Sequence, residues 1–367
     1  MAVFQEPDGD AEAQVGRIHI VTEFNTFLDV EMESLDAIVV KMGNELVRLD
    51  RLQFEDFKDL QPYFEATGST SRVYECNLID LLLRPLHVFF TERNGIVLVF
   101  ISPHNQAIRK ERAGFLPPLF QGDPEKASIA IAEVMKTLLH NPGFRFVALS
   151  QDYLEATGIS KDGEMSFVRQ EGNCEDFVYL RDELLTLSGS KAQKEKRRQA
   201  NNFERDNHPL VEKLASKHIP GCMVVCESYR NEKGGDEADP NVLRELRFTL
   251  NLLHQFEHIT STIRGCQLRG IVVSVAGKVV AFSIADSLGR DAIVIHVEKA
   301  LAAYKGAYQY VNRETVRILS EDHIKYVNRE CARKGADGLR QTKMAYRPHC
   351  MIMKYAAYLA KTSVACT

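Results

Sequence analysis

The sequence lacks any long apolar run. Its most apolar segments, at 95–101 and 270–285, are short, β-branched or interrupted by glycine and charge. A helix that crosses a bilayer needs roughly 18–20 apolar residues. The N-terminus also lacks a basic region followed by an apolar stretch, so no signal peptide is predicted. Both absences lead us to expect a cytoplasmic protein with no transmembrane segment.

Cysteine pairs at metal-binding spacing are absent as well. None of the eight cysteines forms a Cys-x-x-Cys pair. Cys222 and Cys226 lie in an apolar run typical of a strand, without nearby histidines, which favours buried reduced thiols over a metal site. The sequence therefore predicts no metal and no cofactor.

The length of the chain exceeds what one hydrophobic core usually supports. Its 367 residues, of which 45% are hydrophobic and 26% charged, predict two globular domains. The boundary is placed within a glycine- and charge-rich stretch at 157–176. We predict a flexible acidic tail at 1–15, a first domain at 16–165 and a second domain carrying the active site at 166–367.

Both halves show strands, a loop, a helix and a further strand in the same order, which predicts a mixed α/β fold. In the first half, Asn94-Gly95 is a strong hairpin signal, and two stretches have apolar residues at helical spacing. The predicted elements are strands at 87–90, 96–102 and 144–149, and helices at 53–63 and 124–139.

In the second half, Ala276-Gly277 marks the turn of a hairpin with alternating apolar residues, and Gly306 opens a helix. The predicted strands lie at 177–180, within the hairpin at 270–288, at 291–297 and at 324–327. The other predicted elements are helices at 182–207 and 242–258, a turn region at 335–340 and a closing helix at 350–359.

The net charge of −4 hides an asymmetry. Residues 1–60 hold 14 acidic and five basic side chains. In contrast, Lys191–Arg205 carries six basic and two acidic residues, and Lys325–Lys354 carries eight and two. Two basic blocks in an otherwise acidic protein indicate a local site for a polyanion, either phosphate or nucleic acid.

The first basic block has helical spacing. Lys194, Arg197 or Arg198, Asn201 and Arg205 fall three or four residues apart, so they line one helix face. Such a face can neutralise several phosphates in a row. A solvated basic face without a ligand is the alternative interpretation.

Further candidates surround the turn at 303–308. His296, Glu298 and Lys299 end a strand just before it, and regular alternation would place His296 and Glu298 on one face. Backbone amides at the helix N-terminus near Gly306 can hold an anion or polarise a carbonyl. In the second basic block, cationic side chains can clamp phosphates or a carboxylate, and Glu330 can accept a proton or hold an amine. Salt bridges within the fold are the alternative.

These considerations define two candidate sets. The candidate catalytic residues are His296, Glu298, Gly306, Arg340 and Lys343. The candidate residues for binding a substrate or a polyanion, which the resemblance given next identifies as tRNA, are Lys194, Lys196, Arg197, Arg198, Asn201, Lys299, Tyr308, Asn312, Arg329, Glu330 and Tyr346.

Several segments together resemble the family related to the C-terminal domain of phosphatidylglycerol lysyltransferases, of the DUF2156 type. Leu187-Ser-Gly189 with 196–203 is similar to the family segment L-S-G-K-K … K-R-N-x-I-N-x-F. Tyr326–Glu330 and Gly338–Pro348 resemble I-N-R-E-x-D-x-G-x-x-G-L-R-x-x-K-x-S-Y-x-P. Looser similarity is found at 71–81, 117–119, 268–270, 286, 296–299 and 306–309.

The resemblance implies two fused acetyltransferase-like (GNAT) domains and an aminoacyltransferase whose donor is aminoacyl-tRNA. The acceptor implied is an amine, hydroxylamine or hydroxyl of a small molecule or a lipid. Backbone amides near Gly306, with Arg340 or Lys343, would then stabilise the oxyanion, and His296 or Glu298 would take the proton.

Two alternative functions remain open. One is an acyl-coenzyme A-dependent N-acyltransferase of the same fold. Acetyltransferases bind coenzyme A through Gln/Arg-x-x-Gly-x-Gly/Ala, and the loop at 303–308 keeps only Gly306 of that pattern. The other is a non-catalytic tRNA- or phosphate-binding protein. Departures from the family pattern at 198, 199, 333 and 334 leave the amino acid and the acceptor open, and the oligomeric state is open too.

Overall fold

The computed structural model describes residues 17–21, 24, 28–104, 106, 109–170, 175–263, 265–332 and 336–360, with the backbone alone at 109, 111 and 236. These residues form two mixed sheets with helices, so the predicted mixed α/β class is confirmed. No helix in these ranges is both long enough and apolar enough to cross a membrane. The predicted tail at 1–15 lies outside the described residues, and the predicted domain limits stay a prediction.

Strands make up both sheets. They are β1 (Ile18–Val21), β2 (Ala37–Met42), β3 (Glu45–Arg51), β4 (Leu86–Arg93), β5 (Ile96–Pro103), β6 (Gly114–Phe115), β7 (Leu119–Phe120), β8 (Phe146–Ser150), β9 (Met165–Arg169), β10 (Asp176–Leu180), β11 (Leu210–Lys213), β12 (Arg269–Val275), β13 (Lys278–Leu288), β14 (Ala292–Ala300), β15 (Tyr326–Cys331), β16 (Cys350–Ile352) and β17 (Lys354–Leu359).

Helices connect and cover these strands. They are α1 (Phe57–Ser71), α2 (Leu78–Leu83), α3 (Arg109–Arg112), α4 (Pro124–Leu139), α5 (Gln151–Ala156), α6 (Arg181–Thr186), α7 (Lys191–Asn207), α8 (Ile219–Glu232), α9 (Pro240–Thr262), α10 (Ala307–Leu319) and α11 (Asp337–Ala345).

The strands are shared unequally between the sheets. The first sheet has the order β1-β2-β3-β4-β5-β6-β8-β17-β9, with β7 paired to β5. The second has the order β11-β12-β13-β14-β15-β10-β16. Strand β17 therefore returns from the end of the chain to lie between β8 and β9. We call the first sheet with its helices the first unit, and the second sheet with its helices the second unit.

Local turn chemistry explains the two predicted hairpins. Asn94 and Gly95 have φ of 53° and 77°, and Ala276 and Gly277 have φ of 48° and 78°. Two successive residues in the left-handed region are the geometry of a two-residue hairpin turn. Both predicted hairpins, β4–β5 and β12–β13, are confirmed.

Three other predictions of secondary structure are wrong. Cys222 and Cys226 lie on helix α8, where residues four apart share one buried face, and not on a strand. The region at 335–340 is largely the start of α11, although residue 335 lies outside the described residues. The closing segment at 350–359 forms β16 and β17, because its pairing partners, distant in sequence, override its local pattern.

The two units meet along residues 72–84. Polar contacts cross between them: the Tyr74 amide donates to Asp176 at 2.9 Å, and the Asn77 side chain donates to Asp286 at 2.9 Å. Buried apolar side chains of both units, including Leu78 and Phe248, belong to one continuous cluster. An apolar contact of this kind favours one rigid arrangement of the two units.

Glycine is required where helix α1 meets the second unit. Gly289 has a φ of 70°, and a Cβ atom there would overlap the backbone of Ser69. Gly277 has a similar φ of 78°, but a Cβ there would have no neighbour within 4 Å. The two positions share the backbone constraint and differ only in packing.

We expect Gly289→Ala to destabilise the protein more than Gly277→Ala. Both changes carry the left-handed penalty of about 1–2 kcal/mol, and Gly289→Ala adds overpacking of roughly 1–3 kcal/mol. Chemical denaturation of the two variants measures the difference. Equal midpoints would show that the α1 contact at Gly289 tolerates a methyl group.

Candidate active site

Strands β14 and β15 run parallel and then separate. They pair only from Ala292–Tyr326 to Val294–Asn328, although β14 continues to Ala300 and β15 to Cys331. Beyond these pairs the facing backbone groups have no sheet partner from the other strand. We call the space between residues 295–300 and 329–331 the strand gap. Side chains bridge it, and several predicted site residues are among them.

A β-bulge lies on each side of the strand gap. On β14, His296 is the extra residue in the pairing with β13. On β15, the pairing with β10 shifts between Asn328 and Cys331, where Glu330 has a φ of 55°. Bulges re-aim side chains.

The expectation that His296 and Glu298 share a face is wrong because of the bulge in β14. The His296 ring lies 6.1 Å from Phe248 of α9, whereas Glu298 accepts a hydrogen bond from Asn312 of α10. The two side chains therefore belong to different clusters.

Glu298 is the centre of the first cluster. Its carboxylate accepts hydrogen bonds from Asn312 Nδ2 at 2.7 Å and from Arg329 Nη2 at 2.7 Å. Burial alone would lower the pKa of Arg329, but the Glu298 carboxylate raises it, so the guanidinium stays charged. The Glu298 side chain is 13% exposed, so part of it reaches the surface although both carboxylate oxygens accept hydrogen bonds.

The rings of two tyrosines lie beside the Glu298–Arg329 pair. The Arg329 guanidinium lies 4.7 Å from the ring of Tyr346 and 5.6 Å from that of Tyr179. The ammonium of Lys196 lies 5.8 Å from the Tyr346 ring. Burial raises the pKa of Tyr346 to about 12, so its phenol stays protonated. The structure thus brings together Lys196, Glu298, Asn312, Arg329 and Tyr346 from the predicted set.

Glu330 belongs to the second cluster. It lies 3.2 Å from His296 Nδ1 and accepts a hydrogen bond from Arg84 Nη2 at 2.7 Å. Asp80 accepts from Arg84 Nε at 2.6 Å and lies 3.6 Å from His296. The His296 side chain is fully buried. This cluster therefore consists of two carboxylates, an arginine and a histidine.

Burial and the neighbouring charges act in opposite directions on the pKa values of the second cluster. Burial raises the pKa of Asp80 to about 6, against the pull of Arg84. Burial would raise the pKa of Glu330 as well, but Arg84 and His296 lower it to about 2. For His296, burial would lower the pKa, but the hydrogen bond and charge of Glu330, with Asp80, raise it. Glu330 thus stays ionised while His296 tends to hold its proton.

Asp80, His296 and Glu330 also have the spacing of a metal site, since one ligand atom of each lies within 4.8 Å of the others. However, the Arg84 guanidinium already contacts both carboxylates. The arginine supplies the positive charge that a metal ion would bring.

Lys343 points into the protein. Its ammonium donates to the carbonyls of Arg329, Glu330 at 3.1 Å and Cys331 at 2.9 Å. Burial lowers the pKa of this amine. The structure therefore places Lys343 under the end of β15, where it satisfies carbonyls near the bulge.

Arg340, Lys299 and Tyr308 lie outside the Glu298 cluster. Arg340 pairs with Glu175 at 3.4 Å. Lys299 pairs with Glu245 and lies 4.2 Å from the ring of Tyr229. Burial raises the pKa of Tyr308, against the pull of Lys299, and the residue is 37% exposed.

Gly306 packs at the start of α10. It has a φ of 91°, and a Cβ there would overlap the carbonyl oxygen of Gln199 on α7. The amide of Ala307 donates to the Tyr304 carbonyl at 3.0 Å. Only glycine allows α7 and α10 to approach this closely.

The basic face of α7 is exposed at Lys194, Arg197, Arg198 and Asn201, while Lys196 is half-buried. Arg198 pairs with Glu195, and Asn201 accepts a hydrogen bond from Arg313. Among the described residues, Lys194 and Arg197 have no ion-pair partner. Their charge is therefore available to an anion.

Three residues of these clusters were missed by the sequence analysis, namely Asp80, Arg84 and Tyr179. A signal for two of them exists. Asp80 and Arg84 are four residues apart in the otherwise apolar run Leu78-Ile-Asp-Leu-Leu-Leu-Arg84, and this spacing indicates a pair on one helix face. No comparable signal marks Tyr179.

Solved structures with a TM-score above 0.5 share the fold of this chain. A conserved protein of unknown function from Bacteroides thetaiotaomicron is 22% identical, with 85% of this chain and 99% of that chain covered and a TM-score of 0.67. FemX is 8% identical, with coverages of 86% and 98% and a TM-score of 0.53. L-PGS from Bacillus licheniformis is 18% identical, with coverages of 76% and 86% and a TM-score of 0.49.

Sequence comparison gives a family. No curated protein matches the chain. The family described as "Phosphatidylglycerol lysyltransferase, C-terminal" matches residues 81–358, which is most of the chain and includes both clusters of the strand gap apart from Asp80. The resemblance stated from the motifs is thereby confirmed, and the chain belongs to the phosphatidylglycerol lysyltransferase C-terminal family.

Proposed function

We propose that the protein is an aminoacyltransferase that moves an aminoacyl group from aminoacyl-tRNA to an amine, hydroxylamine or hydroxyl of a small-molecule or lipid acceptor. One observation carries the proposal. The partly exposed Glu298–Arg329 pair lies beside Tyr346, whose ring is also close to Lys196. Lys196 is on α7, which also carries Lys194 and Arg197, two charges without an ion-pair partner among the described residues. Membership of the family supports it.

The reaction that fits is attack on an activated ester. The acceptor atom forms a bond to the ester carbonyl carbon, and the bond from that carbon to the ribose oxygen of the tRNA breaks. The proton leaves the acceptor, and the ribose oxygen leaves as a hydroxyl. Because the ester is already activated, the protein mainly needs to position the partners and stabilise the developing oxyanion.

Among the predicted bases, Glu298 is better placed than His296. The Glu298 side chain is 13% exposed, whereas that of His296 is fully buried between Asp80 and Glu330. In our proposal Glu298 accepts the proton of the acceptor.

Positive charge beside Glu298 comes from Arg329. The ammonium of Lys343 is engaged by three carbonyls, and Arg340 pairs with Glu175. We therefore assign the charge that stabilises the oxyanion to Arg329.

We expect transfer of a radiolabelled amino acid from charged tRNA to a non-tRNA product in a cell extract. Each assay contains bulk charged tRNA with one labelled amino acid. Product formed with a single amino acid, and lost when ribonuclease is added first, identifies the donor. If no amino acid is transferred while coenzyme A thioesters raise the melting temperature, the donor is an acyl-coenzyme A.

We expect the double variant Lys194→Ala, Arg197→Ala to bind tRNA more weakly and with a flatter salt dependence. Each phosphate contact contributes roughly 0.7–0.9 to the slope of log K against log salt, so the slope falls by about 1–2. Binding is measured at several salt concentrations.

The matched control for this variant is Lys217→Ala, Arg230→Ala. It removes the same charge from side chains that pair with Glu212 and Glu227 elsewhere in the second unit. An equal loss of slope in both variants would mean that only net charge matters and that α7 is not the tRNA-binding face.

We expect Glu298→Gln to lower kcat of transfer by about 10²–10⁴-fold, the range for loss of a general base. Gln keeps the shape of the side chain but cannot accept the proton. Steady-state kinetics measure the effect, and Glu321→Gln, which removes an exposed carboxylate paired with Arg269, serves as the control. Unchanged kcat in Glu298→Gln would exclude Glu298 as the base.

A further inference from the structure

The end of β15 holds a backbone conformation that needs support. Glu330 has a φ of 55°, which a residue with a side chain adopts only when its surroundings hold it there. Its amide donates to Asn328 Oδ1 at 2.6 Å, and its carbonyl accepts from Lys343 at 3.1 Å. These contacts fix the backbone from within the second unit.

The side chain of Glu330 is held from the first unit. Arg84 Nη2 donates to the carboxylate at 2.7 Å, and Arg84 Nε donates to Asp80 at 2.6 Å. The guanidinium also lies 4.8 Å from the ring of Tyr74 and 4.6 Å from that of Phe248. Two hydrogen bonds to carboxylates and two aromatic rings within 5 Å therefore hold the Arg84 guanidinium in place.

Glu330 and Arg329 are neighbours on one strand, and their side chains contact different groups. Glu330 contacts Arg84 and His296, and Arg329 contacts Glu298 at 2.7 Å. Because Glu330 and Arg329 share one peptide, the contact that holds the Glu330 side chain adds to the constraints on the backbone that carries Arg329. An unbroken series of contacts runs from Arg84 through Glu330 and Arg329 to Glu298.

We infer that Arg84 is a positioning residue, which sets the geometry of the Arg329–Glu298 pair through Glu330. The first unit thereby takes part in the site that the second unit carries. Arg84 does not itself reach the proposed substrate site. The effect on transfer rests on the proposed function, whereas the effect on Arg329 does not.

The experiment that tests this reads the Nε–H signal of Arg329 in protein labelled with ¹⁵N-arginine. The signal is assigned with Arg329→Lys. Arg84→Lys keeps the positive charge but cannot contact Asp80 and Glu330 with the same fork. We expect the Arg329 signal to shift or broaden in Arg84→Lys.

The matched control is Arg93→Lys, which changes a more exposed arginine of the first unit that pairs with Glu45 at 2.5 Å. It should leave the Arg329 signal unchanged. If Arg84→Lys does not fold, Asp80→Asn replaces it, because that variant keeps Arg84 and Glu330 and removes the negative charge that faces Arg84 Nε and His296.

Steady-state kinetics distinguish a role of Arg84 in positioning Arg329 from a role in the stability of the fold alone. We expect kcat of transfer to fall about 10²-fold in the folded Arg84 variant, as for a small misplacement at a reacting centre, with KM for charged tRNA unchanged. An unchanged Arg329 signal in folded Arg84→Lys or Asp80→Asn overturns the inference. Absence of transfer in the unmodified protein overturns the proposed function alone, since the Arg329 signal still decides whether Arg84 positions it.

Discussion

The separation of β14 and β15 is the constraint on which the site depends. Two parallel strands that part inside a protein leave amides and carbonyls without partners, and burial of such groups is unfavourable. The Lys343 ammonium donates hydrogen bonds to the carbonyls of residues 329–331 and so satisfies them. The same separation gives Arg329 and Glu298 room to meet across the strands. The interruption of pairing between β14 and β15 therefore creates the candidate active site.

In each of the two clusters of the strand gap, negative side chains are paired with positive ones. Glu298 faces Arg329, and the two carboxylates Asp80 and Glu330 face Arg84 and His296. Buried charges that lack partners are strongly destabilising. The balance explains why charged side chains are tolerated between β14 and β15 of the second sheet, beside the apolar cluster that joins the two units. It also ties the second unit to α2, since Asp80 lies on this helix and Arg84 directly follows it.

Sequence reasoning succeeded where the information was local and failed where it was distant. The hairpins at Asn94-Gly95 and Ala276-Gly277 follow from turn residues alone. Strands β16 and β17 were predicted as a helix. The reason is that β17 pairs with β8 roughly 200 residues earlier, and nothing in the local pattern of β17 shows this. The type of a residue also does not tell where its side chain points. The sequence identified Lys343 as a cation, but only the structure shows that its ammonium donates to carbonyls.

The same division holds for the two clusters. Glu298, Asn312, Arg329 and Tyr346 lie within the segment that carries the motifs or next to it, so the sequence could propose them together. The contact between Arg84 and Glu330 joins residues 246 positions apart. No spacing rule relates such residues, and the bulges that aim His296 and Glu330 depend on pairing with β13 and β10.

Strand β17 has a consequence for the order in which the protein is made. It occupies an interior place in the first sheet, between β8 and β9. A ribosome that adds about 5–20 residues per second reaches β17 roughly 10–40 s after it has finished β8. During that interval the nascent first sheet lacks an inner strand, and β9 has no neighbour in it. The unfinished edge exposes unpaired backbone groups, which is where a chaperone would be needed most.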